Sequence, residues 1–314
     1  MDPGMLSDFR DRVVSNCSKV IIGKEDVLFD ALVCFLCSGH VLLEDIPGTG
    51  KTMLLRAFAK TMGGSFKRVQ FTPDVLPSDL TGINFYNQKT GEFEFRPGPL
   101  FGNMILADEI NRATPRTQSS LLEAMAERQI TVDGTTRPMV EPFMIMATQN
   151  PLESHGTFPL PDAQTDRFFM RLSLGYMTRD EEISVVSGRD TLEIVGELEP
   201  QTSPEEIAKL KKACREAEFC EEAAGYLMDI VERTRNDARI RIGVSTRGAI
   251  ALYRAAQAAA ALRGRGFVLP EDIRGLAPQV LAHRLSLSGI SGAGEDKAVL
   301  EDILLSTPAP LEDM

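Results

Sequence analysis

The stretch LLEDIPGTGKT, residues 42–52, decides the reading. It ends in Gly50-Lys51-Thr52, the close of a phosphate-binding loop of the form G-x-x-x-x-G-K-[ST]. That pattern puts a glycine where this chain has Asp45. A short apolar strand pattern, HVLLED (40–45), leads into the loop, and a helical pattern, KTMLLRAFAKTMGG (51–64), leaves it. Phosphates are held by backbone N–H groups at a helix N-terminus together with a mobile cation. The loop offers both. Gly48 and Gly50 let the backbone wrap the phosphates, Lys51 reaches the β and γ oxygens, and the Thr52 hydroxyl can ligate Mg²⁺. Pro47, Thr49 and Met53 complete the nucleotide-contacting run. Asp45 fits this reading if its side chain turns away from the phosphates.

Outward from the loop, strand and helix patterns alternate. FKRVQF (66–71), NMILADE (103–109), FMIMAT (143–148) and FFMRLSL (168–174) read as further strands. TPRTQSSLLEAMAER (114–128) reads as a helix with Thr114 as N-cap and Pro115 in its first turn. Alternation with short connections predicts an α/β fold, a parallel sheet covered by helices. Two inserts interrupt it. INFYNQKTGEFEF (83–95) turns near Thr90-Gly91, and ITVDGTTRPMV (130–140) centres on Asp133-Gly134, a type I′ hairpin signal.

Acidic residues at strand ends beside a phosphate loop hold Mg²⁺ and polarise water. Asp108 suits the first role and Glu109 the second. Asn150, at the end of the 143–148 strand, could bond both the water and the γ-phosphate. Arg167, just before the last strand, suits an arginine finger. Arg247 in GVSTRGA opens a helix, where the dipole disfavours a cation, so its position hints at an anionic partner.

The second part of the chain is helical. Thr178-x-x-Glu181 and Ser203-x-x-Glu206 read as capping boxes ahead of amphipathic helices, PEDIRGLAPQVLAHRL closes a fourth, and STPAPLEDM is a tail. The expected division is 1–175, an ATPase core, 176–305, a helical lid, and 306–314. With 314 residues, two domains follow from a prior of about 100–200 residues each. No apolar run reaches the roughly 18 residues that span a membrane, and the N-terminus has no signal-peptide pattern, so a cytoplasmic protein is expected. Five cysteines form no framework, and the C-x-x-C at 34–37 lies in an apolar run, where buried thiols are expected. The net charge of −11, with neither half basic, weighs against nucleic-acid binding.

The order of these motifs resembles the AAA+ ATPases and, within them, the MoxR family. The resemblance covers residues 10–290 and rests on VIIGKEDV, LLEDIPGTGKT, QFTPDVLPSDLTG, FRPGPLF, ILADEINRATPRTQSSLLEAMAERQITVDG, MATQNPLESHGTFPLPDAQTDRF and VSTRGAIAL. It implies an ATPase core with a helical lid, binding ATP or ADP with Mg²⁺ and assembling with itself as a ring, often a hexamer. It implies Lys51 and Thr52 as Walker A, Asp108 and Glu109 as Walker B, Asn150 as sensor 1, Arg167 as a finger offered to the neighbouring subunit, and Arg247 as sensor 2. Ile22 and Gly23 would flank the adenine. Family members are thought to remodel protein clients, often beside proteins with von Willebrand factor A domains. Two rivals compete: a DNA-translocating motor and a nucleotide-dependent scaffold. The hairpin tips carry balanced charge, Lys89 against Glu92 and Arg137 against Asp133, which disfavours DNA. Glu109 and Arg167 are both present, which disfavours a scaffold without turnover.

Overall fold

The computed structural model describes residues 3–46, 48–149, 156–188, 190–289 and 294–310. In chain order the elements are α1 (Pro3–Cys17), α2 (Glu25–Leu36), β1 (Val41–Glu44), α3 (Lys51–Thr61), β2 (Phe66–Gln70), α4 (Pro77–Thr81), β3 (Gly82–Asn87), β4 (Glu92–Pro97), β5 (Met104–Asp108), α5 (Pro115–Glu127), β6 (Gln129–Val132), β7 (Thr135–Pro138), β8 (Met144–Gln149), α6 (Asp162–Thr165), β9 (Met170–Leu172), α7 (Arg179–Val186), α8 (Thr191–Glu197), α9 (Pro204–Ala213), α10 (Glu221–Asn236), β10 (Ile240–Ile242), α11 (Thr246–Leu262), α12 (Pro270–Leu281), β11 (Ser286–Leu287) and α13 (Glu295–Ser306).

Five strands form one sheet in the order β2-β5-β8-β1-β9, every pair parallel. Side chains alternate across a strand, and here both faces are apolar, as helices on both sides require. Val41, Leu43, Met104, Leu106, Met144 and Met146 enter one core with α1, α2, α3 and the later helices. Leu42, Ile105, Ala107, Ile145 and Ala147 enter the other, under Leu121, Leu122 and Met125 of α5. The two inserts are hairpins. Asp133 and Gly134 both have positive φ, 49° and 76°, as a type I′ turn demands.

The helical part departs from expectation in detail. α1 and α2 precede the sheet and pack with α11, so the N-terminal helices, the sheet face and the later helices share one apolar core. A further helix, α13, follows the one expected to be last, and β10 pairs with β11. Thr178 makes its capping box with Glu181. Ser203 caps only one way: its hydroxyl accepts the Glu206 N–H, but the Glu206 carboxylate turns to Arg12 at 2.6 Å. Cys34 is buried in α2, and all five cysteines are free thiols.

His40, just ahead of β1, is buried edge-on against Phe143. Its Nδ1 accepts the Ile145 N–H at 3.0 Å and its Nε2–H donates to the Met125 carbonyl at 3.2 Å. Protonation would set two N–H groups against each other at Nδ1. Burial, reinforced by Arg128, pushes the imidazole down to about 3. A histidine kept neutral in the fold loses stability as pH falls below its unfolded value, because only the unfolded chain takes the proton. Burial acts oppositely at Asp30, whose carboxyl is raised to about 7. His40→Gln removes only the first contribution. Thermal melts from about pH 7 down to about pH 5 should show a shallower loss of Tm in the variant than in the native protein. Equal slopes would contradict this role for His40.

Candidate functional site

The loop between β1 and α3 is shaped by Gly48 and Gly50, with φ of 86° and 89°, a region that glycine enters without cost. Gly50 is the N-cap of α3 and no side chain caps the helix, so its first N–H groups are available to an acceptor. A cleft of about 400 Å³ opens there, at the carboxyl ends of the sheet strands, lined by Gly48, Gly50, Lys51, Thr52, Arg68, Gln70, Asp108, Glu109 and Thr148. Thr49 is buried beside the loop and Met53 packs into the core, so both support the loop from behind. Lys51 Nζ donates to the carbonyls of Asp45 (2.8 Å) and Ile46 (3.2 Å).

Asp45 lies at the base of this loop with its carboxylate turned away from the cleft. It accepts from Ser173 Oγ (2.9 Å), Leu174 N (2.5 Å) and Gly175 N (3.1 Å). The departure from the usual glycine is therefore a clamp between the phosphate loop and the chain leaving β9.

The two acids at the end of β5 are held by neighbours that sequence reasoning passed over. Arg68 of β2 pairs with Asp108 Oδ2 at 2.6 Å. Gln70 Nε2 donates to Glu109 Oε2 at 2.9 Å, and Arg112 approaches the same oxygen at 3.2 Å. Thr148 Oγ1 donates to Asp108 Oδ1 (2.7 Å) and accepts the Glu109 N–H (2.8 Å). Glu109 sits at φ 58°, a left-handed conformation that costs a non-glycine residue on the order of 1–3 kcal/mol and clusters at functional sites. The signal for Arg68 and Gln70 was there: two polar residues at strand spacing on the neighbour of the acidic strand.

Pro47 and Asn150 lie outside the described residues. Ile22 is half-buried and Gly23 exposed, and neither lines the cleft. Their segment lies against the chain beyond β9, where Lys24 Nζ donates to the Tyr176 carbonyl at 2.8 Å.

Arg167 and Arg247 are elsewhere. They line a second cleft, of about 300 Å³, at the amino ends of β1 and β9, beside Gly39, His40 and Phe169. The two clefts share no residue. Arg284 builds the second one. Its Nε pairs with Asp166 Oδ1 at 2.8 Å and its Nη2 donates to the Phe168 carbonyl at 2.7 Å, so it grips the turn that carries Arg167. Ser245, the N-cap of α11, reaches the same Asp166 carboxylate at 3.3 Å, which brings Arg247 alongside. Gly248 makes room: a Cβ there would stand 2.8 Å from Arg284 Cδ.

A phosphate loop at the carboxyl ends of a parallel sheet, facing two acids on a neighbouring strand and followed by a helical lid, defines a P-loop nucleotide-binding protein of the AAA+ class. Residues 40–170 match the ATPase family associated with various cellular activities (AAA), and residues 232–303 match the AAA lid domain. The chain is 46% identical over 307 residues to the uncharacterized protein YeaC of Bacillus subtilis, covering 96% of this chain and 95% of that one. It is 38% identical over 291 residues to the chaperone MoxR1 of Mycobacterium tuberculosis, covering 88% and 76%. A crystal structure of a candidate ATPase from Cytophaga hutchinsonii superposes with a TM-score of 0.87 at 36% identity, covering 98% of both chains. This chain belongs to the MoxR family of AAA+ ATPases.

Asp45→Gly, which restores the usual loop glycine, should weaken the protein. Leaving two backbone N–H groups and a hydroxyl without their acceptor costs roughly 2–4 kcal/mol. Urea unfolding should show the loss, and nucleotide affinity should not improve. An unchanged midpoint would contradict the clamp.

Proposed function

We propose that this protein hydrolyses ATP in a ring of identical subunits and uses the turnover to remodel protein complexes. The observation that carries the reading is the split just described. One cleft holds the loop, Lys51 and the acids. The other offers Arg167 and Arg247, which have no carboxylate partner among the described residues. In phosphoryl transfer the protein mainly positions groups and neutralises developing charge. A cleft that supplies phosphate donors and a water-activating acid is completed by a surface that supplies cations, and a ring brings these together between neighbours. A hexamer follows the family pattern.

The residues fit ATP with Mg²⁺. The uncapped start of α3 and Lys51 bind the phosphates. Thr52 and Asp108, hard oxygen donors lining one cleft, would hold Mg²⁺, which neutralises charge on the phosphates when bound. Glu109 accepts the proton of the attacking water. Asn150 orients that water. Arg167 and Arg247 stabilise the charge that develops on the neighbour's γ-phosphate, so Arg247 acts in trans with Arg167. Ile22 and Gly23 contact the base.

Protein clients are supported by the hairpins and by the Mycobacterium tuberculosis relative, whose name includes "chaperone". Tyr86 and Phe93 pair edge to face at 5.4 Å on the outer part of the β3-β4 hairpin, 54% and 74% exposed. Arg137 is taken up by the Phe95 ring at 3.9 Å, which leaves it less free for a nucleic-acid backbone. Among the described residues no helix is long and apolar enough to cross a membrane. The division into a core of 1–175 and a lid of 176–305, a cytoplasmic location, and a partner with a von Willebrand factor A domain belong to the same proposal.

Two inactive variants test it. Glu109→Gln should bind ATP yet turn over at least ~10²-fold more slowly. Arg167→Ala should also bind ATP and lose turnover by roughly 10³–10⁵-fold. Mixed, the two should regain activity, because some interfaces join an intact Glu109 to an intact Arg167. No recovery, with subunit exchange verified by labelling, would contradict the shared site.

A further inference from the structure

The cleft that contains Arg167 and Arg247 holds a third guanidinium with no carboxylate partner among the described residues, that of Arg254. Arg247, Ile250, Ala251 and Arg254 line the cleft from one face of α11, at the i, i+3, i+4 and i+7 spacing that puts side chains in a row. Two turns of helix separate the two arginines, roughly 10 Å along the axis. The other charges in the cleft are already matched. Arg128 is bound to Glu141 at 2.8 Å, and Arg284 takes the cleft's one carboxylate, Asp166. Arg254 itself is exposed; its backbone carbonyl accepts from Cys37 Sγ at 3.4 Å, and its side chain takes no part in that contact.

Arg167, Arg247 and Arg254 share one cleft without an ion pair to a carboxylate, Glu123 and Glu127 bordering Arg167 only on its other side, and a polyanion relieves the repulsion among the three. A planar guanidinium suits phosphate oxygens, with paired donors that a lysine lacks. We propose that Arg254 is a third phosphate ligand acting in trans: it binds the triphosphate held by the neighbouring subunit's loop, further along the chain of phosphates than Arg167 and Arg247. This rests on the shared-site reading and extends it to a residue that no motif marks. The helix spacing is what assigns it. With Arg247 at the start of α11, a cation one face and two turns later meets the same extended anion at a second point.

The test is complementation. Arg254→Gln removes the charge and keeps a polar side chain of similar length. It should lower turnover per subunit by roughly 10–100-fold, the scale of one charge-assisted hydrogen bond. Because Arg254 is exposed, thermal unfolding should not change. Mixed with Glu109→Gln, the variant should regain activity. Mixed with Arg167→Ala, it should not, since every interface then has a damaged arginine face. Arg254→Lys should recover part of the lost turnover. Recovery with Arg167→Ala and none with Glu109→Gln would place Arg254 at its own subunit's nucleotide and overturn the proposal. Turnover equal to the native rate would also overturn it. Loss of assembly in both Arg254→Gln and Arg254→Lys would make the residue an interface contact and overturn it as well. The Arg167→Ala and Glu109→Gln mixture runs alongside: its failure to recover would sink the shared-site reading itself, a result distinct from anything Arg254→Gln shows.

Discussion

One buried guanidinium sets the arrangement. Arg284 is only 8% exposed, and a charge withdrawn from water costs several kcal/mol unless it is paired and hydrogen-bonded. Arg284 meets both conditions at once, with the Asp166 carboxylate and the carbonyl of Phe168. It comes from the turn that follows the lid's α12 and grips the turn before β9, so the lid is fixed to the sheet at the point where Arg167 leaves it. Ser245 draws the start of α11 to the same carboxylate. The arginine cleft is the result, and it forms at the end of the sheet away from the phosphate loop.

β9 joins the two ends. It is three residues long and clamped on both sides. Before it, Arg284 holds residues 166–169. After it, Asp45 of the phosphate loop holds residues 173–175. In the middle, Arg171 bridges Glu44, next to the loop, and Asp296 of α13, at 3.3 and 2.6 Å. A shift of the loop is therefore felt by the strand that carries the arginine cleft at its other end. Short, doubly anchored elements of this kind move as a unit, because packed interiors pass strain on.

The sheet and its inserts were legible because their signals are local. β1, β5 and β8 are apolar runs ending in loop chemistry, and Asp133-Gly134 can hardly be anything but a tight turn. Lys51 and Thr52 at the start of α3, and Asp108 and Glu109 at the end of β5, could be grouped from the sequence because a glycine loop and a strand end are local signals, and the structure lines one cleft with all four. Other features depend on distant pairs. The partners of Asp45 lie at 173–175, and Arg68 and Gln70 matter only because β2 lies beside β5. Ser203-Glu206 looked like a full capping box, and the carboxylate went to Arg12 from α1 instead. α1 and α2 were missed since their partner, α11, is far along the chain. That Arg167 and Arg247 share a cleft depends on Arg284, which no motif contains.

The central claim is that one chain carries two halves of a nucleotide site and completes neither alone. ATP turnover per subunit, measured across a dilution series with assembly followed by sedimentation velocity, tests it most directly. The account predicts turnover that rises with the assembled fraction and falls towards zero in the monomer. Full turnover per subunit in a population that sediments as monomer would contradict it.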